Sequence, residues 1–450
     1  MRKNVIDFSP AELDAQSPGF MHFSVSVNTN TMSWLLNTNE ITRLQFELTN
    51  YCNAHCPQCA RCNYYERDWE KETNSNNTPY PLGINDSHMD LDAYKRIIDG
   101  DKWEKLGSVH YCGNYDEPTI HPHVVEMASH TLETINDRSI RSNKIQVTMS
   151  TNGGTRTPEW WSELGRIGKF YRSGIRIIWG IDGWKDTNHL YRRGVKWEQL
   201  EANFRAWNHH TRSSGPITSE WQFIVFEHNK HQLQWAKDNW KKLGFNRFKV
   251  IYSKRPDADK LDRPMKNNKR ANIYKDSHMI NNVSYKPKQD PKMTELNPKM
   301  TELNSENTPI KSKNPSFSVA GKINELNKPK KEKLCFDTKG YDANNGSIIC
   351  KATRSGSSIG RSLYVSSRGY VMPCCWMGTD NDMKEAAHTF AKGLDPKIHS
   401  IYHYNTMSEM LNSPYFSRLA QSIKEQPNQT CITHCKSQTV DYGNAKVERY

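Results

Sequence analysis

The stretch "FELTNYCNAHCPQCARCNYY", residues 46–65, places Cys52, Cys56, Cys59 and Cys62 within eleven positions, directly after an apolar, β-like run. Four thiols so close together suit a zinc knot, a disulfide framework or an iron–sulfur cluster. Eleven cysteines in 450 residues are an odd number and too sparse for a secreted disulfide scaffold. The N-terminal "MRKNVIDFSPAELDAQS" has charged and polar residues where a signal peptide needs an apolar stretch. No run of about 18 apolar residues is present to span a membrane. The expected location is the cytoplasm, with no membrane partner, and there clustered cysteines serve metals or catalysis. The disulfide framework drops out.

Thirteen Trp and twenty Tyr supply ample material for a core. The net charge of +13 suggests nucleic acid until it is located: residues 254–333 hold 19 Lys+Arg against 10 Asp+Glu, so most of the excess belongs to one segment. That segment repeats "PKMTELN" at 291–297 and 298–304 and is dominated by Pro, Asn, Lys and Ser. Residues 256–333 read as a low-complexity basic linker or insertion. The remaining divisions are an N-terminal extension (1–40), a core (41–255) and a smaller Cys-bearing domain (334–450).

Within the core, short apolar runs alternate with amphipathic stretches. The expected strands are 43–49, 108–112, 144–151, 175–181, 221–226 and 247–252, with helices between them. Such a β-α repeat reads as an α/β parallel sheet or partial barrel, with functional groups where strands end. Six strands are too few for a closed eight-stranded barrel.

Cys52-x3-Cys56-x2-Cys59 lies in the loop after the first strand. A closed zinc site needs four ligands, usually from two separated pairs. A [4Fe–4S] cluster held by three thiolates keeps one iron open to a small molecule. This spacing after a first β-strand resembles the signature of the radical S-adenosylmethionine (SAM) superfamily. The resemblance implies a partial (β/α)6 barrel. It also implies that the open iron chelates SAM and that SAM is cleaved reductively to a 5′-deoxyadenosyl radical, which abstracts hydrogen from a substrate. Gln58 stands where the family usually has an aromatic residue, and Cys62 reads as a bystander.

The resemblance extends to the later strand ends. "YCGNYDEPTIHP" (111–122) is similar to the family's Gly-Gly-Glu-Pro loop, with Gly113, Glu117 and Pro118 expected at the SAM site. Asp116 replaces a glycine there, so its backbone position must be reached differently. Ser150, Thr151 and Asn152 in "MSTNGG", Asp182 in "WGIDGW", and Arg192 in "HLYRRG" are the expected partners of the SAM ribose and carboxylate. Cys112 reads as a strand thiol.

Toward the C-terminus, Cys350, Cys374, Cys431 and Cys435 resemble the ligands of a SPASM/twitch extension, implying a second, auxiliary [4Fe–4S] cluster. Cys375 is the rival to Cys374, and Cys335 to Cys350. The stretch 407–423 reads as an amphipathic helix covering that site. The family resemblance also implies an electron donor such as flavodoxin or ferredoxin, and a peptide or protein substrate. Alternatives are a nucleoside or RNA substrate, with the basic insertion as an electrostatic arm, and a non-enzymatic zinc-binding nucleic-acid or scaffold protein.

Overall fold

Each apolar run forms a strand because every second side chain is large and apolar and the stretches between carry helix-starting signals. In the computed structural model the described residues are 37–57, 59, 88–137, 145–171, 174–211, 215–252, 361–378, 400–425, 430–431 and 447–449. The six strands are β1 (Arg43–Phe46), β2 (Ser108–Tyr111), β3 (Gln146–Thr151), β4 (Ile175–Gly180), β5 (Thr218–Val225) and β6 (Arg247–Tyr252). Each pairs in parallel with the next in chain order. Between them run α1 (Leu91–Gly100), α2 (Val124–Asp137), α3 (Pro158–Phe170), the single turn α4 (Asn188–Tyr191), α5 (Trp197–Asn208) and α6 (Leu233–Asn239). Asp90 caps α1 by accepting from the Ala93 amide, and Thr157 caps α3 just ahead of Pro158. The result is a mixed α/β fold with a mostly parallel sheet.

Alternation along the strands separates two faces. Leu44, Phe46, Val109, Val147, Ile177, Trp179, Trp221 and Phe223 are fully buried and belong to one apolar core. Trp161 of α3 meets Trp179 at 4.6 Å between ring centroids. The buried indoles spend their N–H groups: Trp179 on Ser219, Trp161 on the Thr155 carbonyl, Trp221 on the Ile181 carbonyl. The intervening positions, among them Arg43, His110, Ser150, Arg176 and Glu220, line a cavity instead.

The C-terminal residues extend this sheet at both edges. β7 (Ser362–Val365) runs parallel to β1, and β8 (Val371–Met372) returns antiparallel to β7. Gly369, at φ +80°, makes the turn of this hairpin. β9 (Val447–Arg449) lies antiparallel to β6, giving the order β8-β7-β1-β2-β3-β4-β5-β6-β9. The expected helix at 407–423 is two helices, α7 (Met407–Leu411) and α8 (Pro414–Glu425). Pro414 has no N–H to continue the first and is placed to start the second. The first turn of α7 rests on buried Asp101, whose carboxylate accepts from the amides of Met407 (2.8 Å) and Ser408 (3.2 Å). Among the described residues no helix is long and apolar enough to cross a membrane.

One buried histidine makes stability depend on pH. His121, 1% exposed, bonds the Met89 carbonyl through Nε2 (2.9 Å) and the His123 amide through Nδ1 (3.1 Å). A carbonyl only accepts and an amide only donates, so the ring is the neutral Nε2–H tautomer. Burial lowers its pKa to about 3. A group whose folded pKa lies below its unfolded value contributes stability above the unfolded value, near 6.5, and loses it as pH falls toward the folded one. The unfolding midpoint should therefore drop between pH 7 and pH 4, and drop less in His121→Gln. Parallel pH curves for the two proteins, by differential scanning fluorimetry, would remove His121 as a cause.

Candidate active site at the cysteine loop

The loop leaving β1 carries Cys52 and Cys59, both half-buried, and Cys56, buried. The Cys59 amide donates to the Cys56 carbonyl at 3.1 Å and closes a turn, while the Ala54 amide approaches Cys52 Sγ at 3.4 Å. Two contacts tie the loop to the segments that follow α4 and β3: the His55 amide to the Arg193 carbonyl (2.8 Å), and Asn152 Nδ2 to Asn53 Oδ1 (2.8 Å). Burial pushes the Cys56 thiol up to about 12; Arg192 opposes this, and Cys59 and Cys52 add to it. Cys56 is thus within electrostatic reach of both Cys52 and Cys59. All three open onto a cavity of about 720 Å3, within the roughly 300–1,000 Å3 of ligand pockets. No three His, Cys, Asp or Glu among the described residues converge as ligands of a single metal ion. In a cubane cluster each thiolate binds a different iron.

The β2 loop is ordered by two carboxylates. Glu47 Oε2 accepts from the amides of Asn114 (2.7 Å) and Tyr115 (3.0 Å) and from the Tyr364 hydroxyl (3.0 Å). Asp116, in the place of the expected glycine, turns its carboxylate back onto the amides of Gly113 (2.6 Å) and Leu48 (3.2 Å). It needs no positive φ. Burial raises its pKa well above the carboxylate range, and the neighbouring Glu47 charge adds to this. Gly113 must be glycine for a spatial reason: a Cβ there would lie 2.1 Å from the Glu47 carboxylate.

Glu117 gathers the β3 end, accepting from Thr119 Oγ1 (2.6 Å), Thr151 Oγ1 (2.7 Å) and the Asn152 amide (2.7 Å). Thr151 in turn accepts from the Gly153 amide, and Asn152 Oδ1 from the Gly154 amide. Ser150 Oγ lies 2.8 Å from His110 Nε2, and His110 Nδ1 accepts from Arg43. His110 is therefore neutral, its pKa held well below the usual value by burial first and then by Arg43. At the β4 end Asp182, fully buried, accepts from Arg192 Nε (2.7 Å) and the Ile224 amide (2.8 Å). Burial works against the Arg192 charge, but Asp182 and Cys56 outweigh it and raise its pKa. Arg192 Nη1 reaches Cys56 Sγ at 3.8 Å.

Of the residues expected at the SAM site, Gly113, Glu117, Ser150, Thr151, Asn152 and Arg192 line the same cavity as the three cysteines. Pro118 and Asp182 stand behind it. Thr151, Asn152 and Glu117 spend their side chains on loop amides and on each other, and Asp182 on Arg192 and the Ile224 amide of β5. Of the expected residues, Ser150 and Arg192 are those that line the space outside that network. Cys112 is half-buried on the cavity wall, its thiol pushed up to about 12 by burial. Cys374 and Cys431 are buried, and Cys431 Sγ lies 3.6 Å from Met377 Sδ. Cys375, half-buried, is within electrostatic reach of Arg43. Cys62, Cys335, Cys350 and Cys435 lie outside the described residues. Glu47 and His110 were not expected; their signal is a charged or imidazole side chain at a cavity-facing or terminal strand position.

No protein-family model matches the chain. Over 126 residues it is 28% identical to the tungsten-containing aldehyde ferredoxin oxidoreductase cofactor-modifying protein of Pyrococcus furiosus, a match spanning 28% of this chain and 28% of that relative. Among solved structures, native anSMEcpe with bound AdoMet aligns with TM-score 0.40 and 15% identity over 84% of this chain and 82% of that one. Streptococcus suis SuiB bound to S-adenosylmethionine aligns with TM-score 0.39 and 15% identity, over 76% and 62% of the two chains. The chain is a mostly parallel α/β protein, with the cysteine loop after its first strand opening onto a cavity that runs along the sheet from the strands' C-terminal ends.

Proposed function

We propose that the protein is a radical SAM enzyme, with Cys52, Cys56 and Cys59 holding a [4Fe–4S] cluster and SAM seated beside it in the cavity. What supports this most is the meeting of Cys52, Cys56 and Cys59 with the ends of β2, β3 and β4 around one space. Three soft thiolates on one loop suit iron and sulfide better than a closed zinc site. When bound, the cluster supplies the electron that splits SAM and yields the radical that takes hydrogen from the substrate. The chain's own residues bind and orient. Arg192, held by Asp182, presents a guanidinium to the SAM carboxylate. Ser150 Oγ, already engaged by neutral His110, offers a hydroxyl to the ribose. The backbone around Gly113, braced by Glu47 and Asp116, offers carbonyls to the SAM amino group.

Cys374 and Cys431, with Cys350 and Cys435, are the proposed ligands of an auxiliary cluster. The placement of Cys375 toward Arg43 favours Cys374 as the ligand between the two. The proposed substrate is a peptide or protein, as the extension resembling SPASM/twitch domains suggests, and the proposed electron donor is a flavodoxin or ferredoxin.

Anaerobic reconstitution with iron and sulfide tests the reading. The wild type should turn brown and convert SAM plus reductant to 5′-deoxyadenosine. Cys56→Ala should lose this conversion, and Cys62→Ala should keep it. A colourless zinc protein that leaves SAM intact would overturn the assignment.

A second outcome concerns the β2 loop. Gly113→Ala drives a methyl group into the Glu47 carboxylate, so SAM affinity should fall by about tenfold, or ~1.4 kcal/mol. Equilibrium dialysis against labelled SAM measures this; an unchanged affinity would place the SAM amino group elsewhere.

A further inference from the structure

The cavity has a second end. Alternation on β1, β4 and β6 puts Arg43, Arg176 and Lys249 on its wall, with Glu220 of β5 between them. At about 3.3 Å per residue, Arg176 lies about 13 Å along β4 from Gly180, at the opposite end of the strand from Asp182 and the cysteine level. Burial lowers the pKa of all three cations, and they press on one another: Arg43 acts on Arg176, and both act on Lys249.

Compensation on the wall is thin. The Glu220 carboxylate is 3.9 Å from Arg176 Nη1, at the outer limit of an ion pair. Lys249 Nζ donates to the neutral Gln222 amide oxygen at 3.2 Å. Arg176 Nε, shielded from solvent, has no hydrogen-bond partner among the described residues. His110 adds no negative charge, because its Nδ1 accepts from Arg43 and its ring is neutral. Arg247 and Arg449 carry the same sign along the wall. Half-buried cations that face each other across a cavity are costly unless an anion joins them.

We propose that this end of the cavity is an anchoring subsite for an oxyanion of the substrate, a carboxylate or a phosphate, gripped by Arg176 with Arg43 and Lys249. The guanidinium fork pairs two oxygens at once, and the ammonium adds a point charge. Anchored there, a substrate would extend along β4 toward the cysteine loop. The inference rests on the proposed radical SAM reading for what happens at that other end.

The test is calorimetric titration of the full chain at low salt with two probes, glutarate and glycerol 3-phosphate. At least one should bind the wild type saturably. Its affinity should fall at least tenfold in Arg176→Gln and in Lys249→Gln, and stay as in the wild type in Lys241→Gln, whose ammonium stacks on Trp240 outside the cavity. The tighter probe identifies the oxyanion as carboxylate or phosphate. Lys249→Gln carries the test should Arg176→Gln fail to reach the wild-type unfolding midpoint. Absence of saturable binding, unchanged affinity in a folded cavity variant, or equal loss in Lys241→Gln would each overturn the subsite. SAM cleavage by the wild type is measured separately. Cleavage without probe binding sinks the subsite alone, and probe binding without cleavage sinks the radical reading alone.

Discussion

Glu47, 2% exposed at the end of β1, joins three segments that are far apart in sequence. One of its oxygens receives the amides of Asn114 and Tyr115 from the β2 loop and the hydroxyl of Tyr364 from the C-terminal hairpin. A carboxylate taken out of water is tolerated only when such donors replace its hydration. Here the donors are the loop itself, so the loop cannot relax away without stranding the charge. Asp116 sits close enough for the two acids to compete, and burial together with Glu47 keeps its proton on well above the usual range. The cysteine strand, the β2 loop and the hairpin therefore form one electrostatic unit.

The sheet around that unit reverses the usual pattern for parallel strands. A parallel sheet covered by helices on both faces reads as continuous apolar runs. These strands alternate: Arg43-Leu44-Gln45-Phe46, Arg176-Ile177-Ile178-Trp179, Glu220-Trp221-Gln222-Phe223. Leu44, Phe46, Ile177, Trp179, Trp221 and Phe223 join the core, whereas Arg43, Arg176, Ile178, Glu220 and Gln222 line the cavity. Holding Arg43, Arg176 and Lys249 half out of water works against stability. The aromatic packing of Trp161, Trp179, Trp207 and Trp221 on the opposite face works for it. One face stabilises the fold and the other spends part of that gain on polarity that folding does not need.

This division explains what could be read in the chain beforehand. All six core strands and five of the six helices between them follow from local periodicity, which needs no knowledge of distant residues; the single turn α4 does not. The cysteine loop and the Gly113–Glu117, Ser150–Asn152 and Arg192 positions followed from motif order, and they do meet around one cavity. What local patterns could not supply is partner choice. Nothing near Ser362 says that its strand will lie against β1 in parallel. Nothing near Asp182 says that its oxygens will be taken by Arg192 and the Ile224 amide, leaving Arg192 as the group facing the space. The break at Pro414 is legible in the sequence, although the apolar periodicity continues across it. The placement of Cys350 and Cys435 is outside the described residues.

The parallel contact of β7 with β1 has a consequence for how the two cysteine regions communicate. β1 leads into the Cys52–Cys59 loop, while β8, which leads into Cys374 and Cys375, runs antiparallel to the β7 that lies against β1. Asn114 Nδ2 donates to the Cys375 carbonyl at 2.9 Å, while the Asn114 amide donates to Glu47. A single residue of the β2 loop thus bridges the two regions. Any displacement of the turn after Cys374 would pull on Asn114 and, through it, on the backbone beside Gly113. Direct contact between packed, hydrogen-bonded segments is the kind of connection through which one site biases another. Asn114, which lines the cavity, is therefore the residue through which the turn carrying Cys375 touches the β2 loop.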